Sequence, residues 1–282
     1  MDLPSDLQFS QGCLQDFVDC PRRFHLRHVL RLRWPAEETE PALENERYLR
    51  QGAALHRVIR QHVLGIPVRK LEVVVRDPDV RRWWQNYLEV RPGASASHRY
   101  PEITLSTVVL GHRLTARYDL VAVRPDGGLR IFDWKTYRRR PPRTQLADRM
   151  QTRVYPFVLA RAWDALDGSG AVTADDISMI YWFAEFPELW EEFRYGVGML
   201  EDDVSYLSSL VGEIEGQVGR CAKGELLPRT QDRELCRKCC YRSLCRRGVE
   251  AGRLAPGEQM LSSDDLSGFS LDVDQMAELE IS

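Results

Sequence analysis

The segment Leu114–Tyr137, with the sequence LTARYDLVAVRPDGGLRIFDWKTY, decides the fold. Two apolar runs flank the turn residues Pro125–Gly128, and a turn signal between apolar runs predicts a β-hairpin. Antiparallel pairing would bring Asp119, in the first run, beside Asp133 at the end of the second. Because residues two apart in a strand share a face, Asp133 and Lys135 are expected to point the same way.

The charged residues of this hairpin indicate a chemical use. Carboxylates and a lysine at the ends of apolar strands are costly to bury unless a divalent cation and a substrate use them. The pattern is therefore typical of a metal-dependent phosphodiesterase. Taken by itself, it also fits a surface hairpin with ordinary charges, so the rest of the chain has to distinguish the two.

Two predicted helices carry further candidates. His56 lies at the edge of an apolar stripe of helical spacing in RYLRQGAALHRVIRQHVLG. Gln151 and Tyr155 lie four residues apart in LADRMQTRVYPFVLARAW, and this spacing puts both side chains on one face of a helix. Each of these residues, taken alone, is equally well explained by ordinary helix packing.

The order and spacing of these residues resemble a known family. The run is Gly52-x-x-x-His56, Asp119, Asp133-x-Lys135 and Gln151-x-x-x-Tyr155. It resembles the PD-(D/E)XK nuclease superfamily and, within it, the RecB-like exonuclease branch, over roughly residues 10–250. The resemblance implies an α/β fold in which helices flank a small central mixed β-sheet, as in restriction endonucleases, with an N-terminal helical part and a C-terminal iron–sulfur segment.

The resemblance also implies roles for the site residues. The expected catalytic residues are Asp119, Asp133, Lys135, Gln151 and Tyr155. The expected ligands of Mg²⁺ or Mn²⁺ are His56, Asp119, Asp133 and the backbone carbonyl of Trp134. Lys135 is expected to orient the attacking water and to offset charge that develops on the phosphate. Gln151 and Tyr155 are expected to position either the DNA strand or the catalytic segment.

The cysteines form a second pattern. Cys236, Cys239 and Cys245 follow the spacing C-x2-C-x5-C in a basic, polar segment, and Cys20 lies far upstream. The pattern is similar to the iron–sulfur site of CRISPR-associated RecB-like exonucleases and of the AddB helicase–nuclease subunit. It implies that these thiolates, in the number that a cluster requires, bind a [4Fe–4S] cluster that ties the start of the chain to its end.

Zinc is the alternative metal for these cysteines, because C-x2-C is also half of a zinc site. Cys13, Cys221 and Cys240 receive no role, although Cys240 is an alternative to Cys239 as a ligand. Metal-type cysteine spacing indicates a reducing compartment rather than a disulfide scaffold. The chain shows no secretory signal and no apolar stretch of membrane-span length, so a cytoplasmic location is expected.

The net charge of −3 is unevenly distributed. Residues 257–282 contain seven acidic and no basic residues, so the preceding part carries 39 basic against 35 acidic residues. The basic run Arg138, Arg139 and Arg140 follows Lys135 and is expected to contact the DNA backbone, with a solvated loop as the alternative. The acidic tail is expected to be disordered, with a docking motif for a protein partner or for the enzyme itself as the alternative.

The predicted organisation is one nuclease domain over residues 1–256. Its parts are a helical part at about 10–92, a catalytic core at about 95–220 and a cysteine segment at about 221–250. Strands are predicted near 100–108, 112–123, 129–135, 178–185 and 191–197. Helices are predicted over about 145–165 and 200–218.

The sequence thus predicts a metal-dependent DNA exonuclease that acts on single strands or DNA ends. Repair, recombination or CRISPR-type DNA processing is the expected setting. Three alternatives stay open: a nucleic-acid-binding scaffold whose nuclease fold is inactive, a zinc-stapled interaction protein, and an endonuclease.

Overall fold

The structure is a computed structural model that describes residues 2–32, 40–167, 172–222, 224–237 and 239–248. The predicted acidic tail, residues 257–282, lies outside the described residues. Within these ranges, no helix combines the length and the apolar character that crossing a membrane requires.

Helices and strands alternate along the chain. The helices are α1 (Gln11–Asp19), α2 (Pro21–Phe24), α3 (Glu40–Val63), α4 (Val68–Val74), α5 (Pro78–Val90), α6 (Arg143–Ala147), α7 (Met150–Asp167), α8 (Val197–Arg220) and α9 (Arg233–Arg237). The strands are β1 (Phe9–Ser10), β2 (His98–Val109), β3 (His112–Val123), β4 (Leu129–Lys135), β5 (Ile177–Phe183) and β6 (Trp190–Arg194).

The strands form one mixed sheet. In the described part of the chain its order is β1-β3-β4-β5-β6, and β2 also pairs with β3. The β1–β3 and β4–β5 pairs are parallel, and the others are antiparallel. The small central mixed sheet flanked by helices is therefore confirmed, as are the five predicted strands. The short strand β1 escaped prediction because two residues carry no periodicity.

Helices cover both faces of the sheet. One face packs against α1, α7 and α8 around buried side chains such as Tyr118 and Ile131. The other packs against α3, α4 and α5, where Trp84 is fully buried and stacks on Tyr87 with ring centroids 5.4 Å apart. Because β4 is covered on both sides, six of its seven residues are buried, and they include the charged residues Asp133 and Lys135. Asp133 therefore enters the core with it.

In β3 the regular alternation of side chains between the two faces of the sheet is interrupted at one point. Tyr118 lies in the core under α7, whereas Leu120 lies in the core under α3. In a regular strand these two residues would share a face, so β3 is irregular at Asp119. The neighbouring strand β2 is irregular at the same level, because Glu102 has a φ of 53°. The flanking pairs of the ladder place Glu102 opposite Asp119, so two acidic residues occupy the irregular step.

The helix predicted over about 145–165 is wrong at its start. The chain forms the short helix α6 first, and α7 begins only at Met150. The backbone amide of Met150 donates a hydrogen bond of 3.1 Å to Oε1 of Gln15 in α1. A group that is distant in sequence therefore satisfies the first turn of α7. The predicted helix over 200–218 is confirmed as α8.

Gly93 offers a test of the close packing between the loop after α5 and the sheet. Its φ is 77°, and a Cβ atom there would lie 3.1 Å from Cδ2 of Leu120 and 3.2 Å from Cε2 of Phe132. Gly65 has a φ of 94° but no neighbouring atom within 4 Å of the Cβ position. Gly65→Ala should cost about 1 kcal/mol through backbone strain alone. Gly93→Ala should cost about 1–3 kcal/mol more, because it also overpacks the contact.

Urea-induced unfolding of both variants and of the wild type measures these losses in the free energy of unfolding. Equal losses for the two variants would contradict the close packing at Gly93.

Candidate active site

The site forms where β3 and β4 separate. Their ladder ends at the pair Leu120–Phe132, and the next position in register sets Asp119 opposite Asp133, as the hairpin predicts. Beyond this pair the backbone amide of Trp134 donates a hydrogen bond of 2.8 Å to Oδ2 of Asp119. The carboxylate thus replaces the backbone acceptor that the ladder no longer supplies.

His56 joins this arrangement from α3. Its Nδ1 lies 2.9 Å from Oδ1 of Asp119, and its Nε2 lies 3.0 Å from the carbonyl oxygen of Trp134. Both partners are acceptors, so the ring satisfies both of them when each ring nitrogen carries a proton. Burial lowers the pKa of His56, but the Asp119 carboxylate outweighs burial and raises this pKa to about 9.

Glu102 is a site residue that sequence reasoning missed. One ligand atom each of His56, Glu102 and Asp119 lie within 4.8 Å of one another. Arg117 holds Glu102 in place, because its Nε and one terminal nitrogen donate hydrogen bonds of 2.9 and 2.5 Å to Oε2. A signal was present in the sequence: folding the predicted strands at 100–108 and 112–123 against each other places Glu102 opposite Asp119.

Asp133, Lys135 and Gln151 form a closed triangle beside this group. Nζ of Lys135 lies 2.6 Å from Oδ2 of Asp133 and donates a hydrogen bond of 3.0 Å to Oε1 of Gln151. Nε2 of Gln151 donates a hydrogen bond of 2.6 Å to Oδ1 of Asp133. Burial lowers the pKa of Lys135, but Asp133 more than compensates and the pKa is raised. Lys135 is therefore an ammonium ion.

The two aspartates differ in their electrostatic balance. Burial raises the pKa of Asp119, but His56 outweighs it and the pKa is lowered. For Asp133, burial and the Asp119 carboxylate prevail over Lys135 and raise the pKa. Oδ2 of Asp133 also accepts no hydrogen bond of normal geometry from the described residues. A buried carboxylate oxygen with spare acceptor capacity, near other acidic side chains, fits a hard divalent cation.

Tyr155 lies away from this group. It is 2 % exposed and packs on Tyr118 with ring centroids 5.1 Å apart. The hydroxyl of Tyr118 donates a hydrogen bond of 2.9 Å to the backbone carbonyl of Tyr155. Of the two roles expected for Tyr155, its place in the core favours positioning the catalytic segment over contact with DNA.

The expected DNA-binding arginines have different surroundings. Arg140 forms an ion pair with Glu191, which Arg143 also contacts at 2.7 Å. The guanidinium of Arg138 lies over the ring of Tyr48, 4.2 Å from its centroid. Arg139 is exposed and has no polar partner among the described residues. The sequence did not indicate the ion pair of Arg140, because Glu191 lies about fifty residues away in β6.

The four cysteines of the second pattern meet at one place. They line a single cavity together with basic and apolar side chains, and its lining residues are Cys20, Cys236, Cys239, Cys245, Arg23, Arg229, Arg242, Thr230 and Leu235. The start of the chain therefore contacts the cysteine segment, whereas the expected cluster between them stays a prediction. No three cysteine sulfurs of the described residues lie within 4.8 Å of one another.

Hydrogen bonds hold the two segments together beside the cavity. The amide of Arg22 donates a bond of 3.0 Å to the carbonyl of Pro228, and the amide of Leu227 donates one of 3.2 Å to Nδ1 of His25. The amide of Thr230 donates to Sγ of Cys20 at 3.4 Å. The contact between the two segments therefore includes backbone as well as cysteine side chains.

The other cysteines do not line this cavity. Cys240, the alternative to Cys239, faces Arg27, whose guanidinium lies 3.9 Å from its sulfur. A hydrogen bond with Cys239, opposed by burial and assisted by Arg27, lowers the pKa of Cys240 to about 6. Cys13 and Cys221 are buried in the core under α7 and α8. These positions favour Cys239 over Cys240 as the cavity residue.

Comparisons with known proteins give one family and distant structural relatives. The family model for the PD-(D/E)XK nuclease superfamily matches residues 8–246. A crystal structure of a "Putative exonuclease" from Eubacterium rectale has a TM-score of 0.50 and 13 % identity, over 95 % of this chain and 98 % of that one. The crystal structure of SSO0001 has a TM-score of 0.39 and 12 % identity, over 86 % of this chain and 87 % of that one. A search of curated proteins finds no match.

Replacement of Glu102 tests the composition of the site. Glu102→Gln should weaken Mn²⁺ binding by at least about tenfold, because it removes a charged oxygen beside Asp119 and His56. Isothermal titration calorimetry measures the dissociation constant. Glu201→Gln, at an exposed position of α8, is the matched control and should bind Mn²⁺ like the wild type. Unchanged affinity in the Glu102 variant would remove this residue from the metal group.

Proposed function

This chain belongs to the PD-(D/E)XK nuclease superfamily, and from that membership we propose that it hydrolyses phosphodiester bonds of DNA with the help of a divalent metal ion. The observation that carries the proposal is that two groups of polar side chains, one partly buried and one buried, lie next to each other. One is the His56, Glu102 and Asp119 group, and the other is the triangle of Asp133, Lys135 and Gln151. The first offers ligands for a cation, and the second offers a fixed positive charge for a phosphate.

The proposed metal ligands are carboxylate oxygens with one ring nitrogen. His56, Glu102, Asp119 and Asp133 would hold Mg²⁺ or Mn²⁺, with the Trp134 carbonyl as a further oxygen ligand. His56 would release a proton as the ion binds, because only a neutral imidazole is a metal ligand. When bound, such an ion polarises the phosphodiester and acidifies the attacking water. The imidazole ligand favours Mn²⁺ slightly, because nitrogen is a softer donor than oxygen.

Lys135 would act as a fixed cation at the phosphate. Its raised pKa keeps it protonated, so it donates hydrogen bonds and cannot remove a proton from water. Asp133 and Gln151 fix the ammonium from two sides and thereby set its direction before the substrate arrives. A charge that is positioned in advance stabilises the transition state without reorganisation during the reaction.

The finer assignment is an exonuclease of the RecB-like branch that acts on single strands or DNA ends. Its support is the order of His56, Asp119, Asp133-x-Lys135 and Gln151-x-x-x-Tyr155 together with the four cysteines. The structural relative from Eubacterium rectale carries an exonuclease name, whereas its likeness extends to the fold alone. Exposed Arg139 would contact the DNA backbone next to the site.

Substitutions in the triangle test the catalytic proposal. Asp133→Asn should abolish cleavage of end-labelled single-stranded DNA, because it removes a charged ligand and the partner of Lys135. Lys135→Ala should lower kcat by about 10²- to 10³-fold while Mn²⁺ still binds, because it removes one electrostatic contact to the transition state. Lys70→Ala, at an exposed position of α4, is the control and should cleave normally. EDTA should stop all cleavage.

Circular single-stranded DNA should resist the enzyme if free ends are required. Cleavage of the circle would identify an endonuclease instead. If the wild-type protein cleaves neither DNA nor RNA with Mg²⁺ or Mn²⁺, the nuclease proposal is wrong. The inactive nucleic-acid-binding scaffold then takes its place.

We also propose that Cys20, Cys236, Cys239 and Cys245 hold a [4Fe–4S] cluster. Four sulfurs around one tetrahedral zinc ion, with Zn–S bonds of about 2.3 Å, lie only ~3.8 Å apart. No three cysteine sulfurs of the described residues fall within 4.8 Å of one another, so the four are not gathered as tightly as around one zinc ion. The wider spacing and the basic residues around the cavity suit a larger, negatively charged cluster. Its role would be structural.

Anaerobic purification tests the cluster. The protein should be brown and contain about four irons per chain. Cys20→Ala should bleach it and lower its thermal unfolding temperature, because the tie between the two segments is lost. Cys240→Ala is the matched control and should keep the colour, because Cys240 faces Arg27 instead of the cavity. Stoichiometric zinc without iron would contradict the assignment.

A further inference from the structure

A second cavity, of about 270 Å³, lies between α3, the end of α5 and β2. Its lining residues are His62, Tyr87, Arg91, Pro92, Ala94 and Arg99. None of them belongs to the candidate active site, and the lining contains no acidic side chain. The cavity is therefore a separate, positively charged feature of the surface.

The charge of this cavity is not neutralised from within the described chain. Arg91 donates from Nε to the Leu88 carbonyl at 3.1 Å, and neither Arg91 nor Arg99 forms an ion pair with any described residue. Burial lowers the pKa of His62, and the positive charges of Arg91 and Arg99 lower it further. The electrostatic effect of both arginines therefore reaches His62 in the cavity wall. Two guanidinium groups with open donors around one cavity favour an anion with several oxygens.

The cavity wall is preorganised. Arg91 adopts a left-handed conformation at the end of α5, with a φ of 45°, and its carbonyl accepts a hydrogen bond of 3.0 Å from the amide of Ala94. Tyr87 stacks on the buried ring of Trp84, and its hydroxyl lies 3.3 Å from Nδ1 of His62. The backbone at Arg91 and the Tyr87–His62 side of the wall are thus held before a ligand enters, which lowers the entropic cost of binding, whereas the exposed side chains of Arg91 and Arg99 still have to be ordered.

The cavity lies along the same two elements as the candidate active site. On α3, His62 follows His56 by six residues, which corresponds to about 9 Å along the helix. On β2, Arg99 precedes Glu102 by three residues, which corresponds to about 10 Å along the strand. These are offsets along the axes of α3 and β2, and a fully extended nucleic-acid strand spans such an offset in one or two nucleotides.

We propose that this cavity binds a phosphate of the substrate strand, one or two nucleotides from the bond that is cleaved at Asp119 and Asp133. The inference rests on the proposed nuclease function and adds a subsite that fixes the register of the strand. A free phosphate or mononucleotide has the same chemistry, and the experiment must separate these two sources. Arg91 and Arg99 would supply the donors, and Tyr87 would supply a hydroxyl.

The test compares a long and a short substrate. The substrates are a single-stranded oligonucleotide and bis(p-nitrophenyl) phosphate, which has a single phosphate and therefore none left for the cavity. The double variant Arg91→Gln with Arg99→Gln should raise KM for the oligonucleotide roughly tenfold. Its kcat, and its activity on the short diester, should stay at the wild-type level. Arg220→Gln, at an exposed position of α8, is the matched control and should keep the wild-type KM.

Binding supplies an independent readout. The affinity of the oligonucleotide in Ca²⁺, measured by fluorescence anisotropy, should fall in the double variant. The slope of log Kd against log salt concentration should decrease by about 0.7, the value for one phosphate contact to a single strand. The other source, a free phosphate, is tested by measuring the thermal unfolding temperatures of the wild type and the double variant in inorganic phosphate.

The outcomes separate the hypotheses. An unchanged KM and an unchanged affinity for the oligonucleotide would overturn the subsite. If inorganic phosphate stabilises the wild type and not the double variant while KM stays unchanged, the cavity takes a free anion and the strand proposal is wrong. If the wild type cleaves neither substrate, the nuclease proposal fails, and the loss of oligonucleotide affinity in the double variant still decides whether the cavity binds a strand.

Discussion

The amide of Trp134 must keep a hydrogen-bond acceptor at the point where β3 leaves β4, and Asp119 is that acceptor. An unpaired buried amide costs about 1–3 kcal/mol, so the strands can separate only where a side chain replaces the lost backbone partner. That side chain has to be short, acidic and anchored, and His56 anchors it from α3. The same hydrogen bonds that close the fold at this step therefore assemble the candidate active site.

Charge in this site is balanced pair by pair. Asp119 faces His56, Asp133 faces Lys135, and Glu102 faces Arg117. Buried carboxylates are tolerated only with such partners, because an isolated charge in the core is strongly unfavourable. A divalent cation at this site would therefore take over a balancing role that positive side chains already fill. Each carboxylate is already held in place before a cation binds, so little conformational entropy of the ligand side chains would be lost on binding.

Local patterns in the sequence predicted much of this arrangement. The turn at Pro125–Gly128 and the period of two fixed β3, β4 and the meeting of Asp119 with Asp133. Features set by distant contacts were missed. The start of α7 depends on a cap from Gln15, and the neutralisation of Arg140 depends on Glu191. Glu102 was missed because an acidic residue in a half-exposed strand resembles any surface position until the register across the neighbouring strand is worked out.

The contact between residues 22–25 and 227–230 joins parts of the chain that are about 200 residues apart. During translation the first of these segments leaves the ribosome long before the second exists. Loop closure becomes only slowly more costly with length, so the contact is favourable once both segments are present, but it has to form late. Until then, Cys20 and His25 of the nascent chain lack the contacts that they make with residues 227–230. Biogenesis of this protein thus includes an interval in which the Cys20 thiol is not yet covered by the later segment.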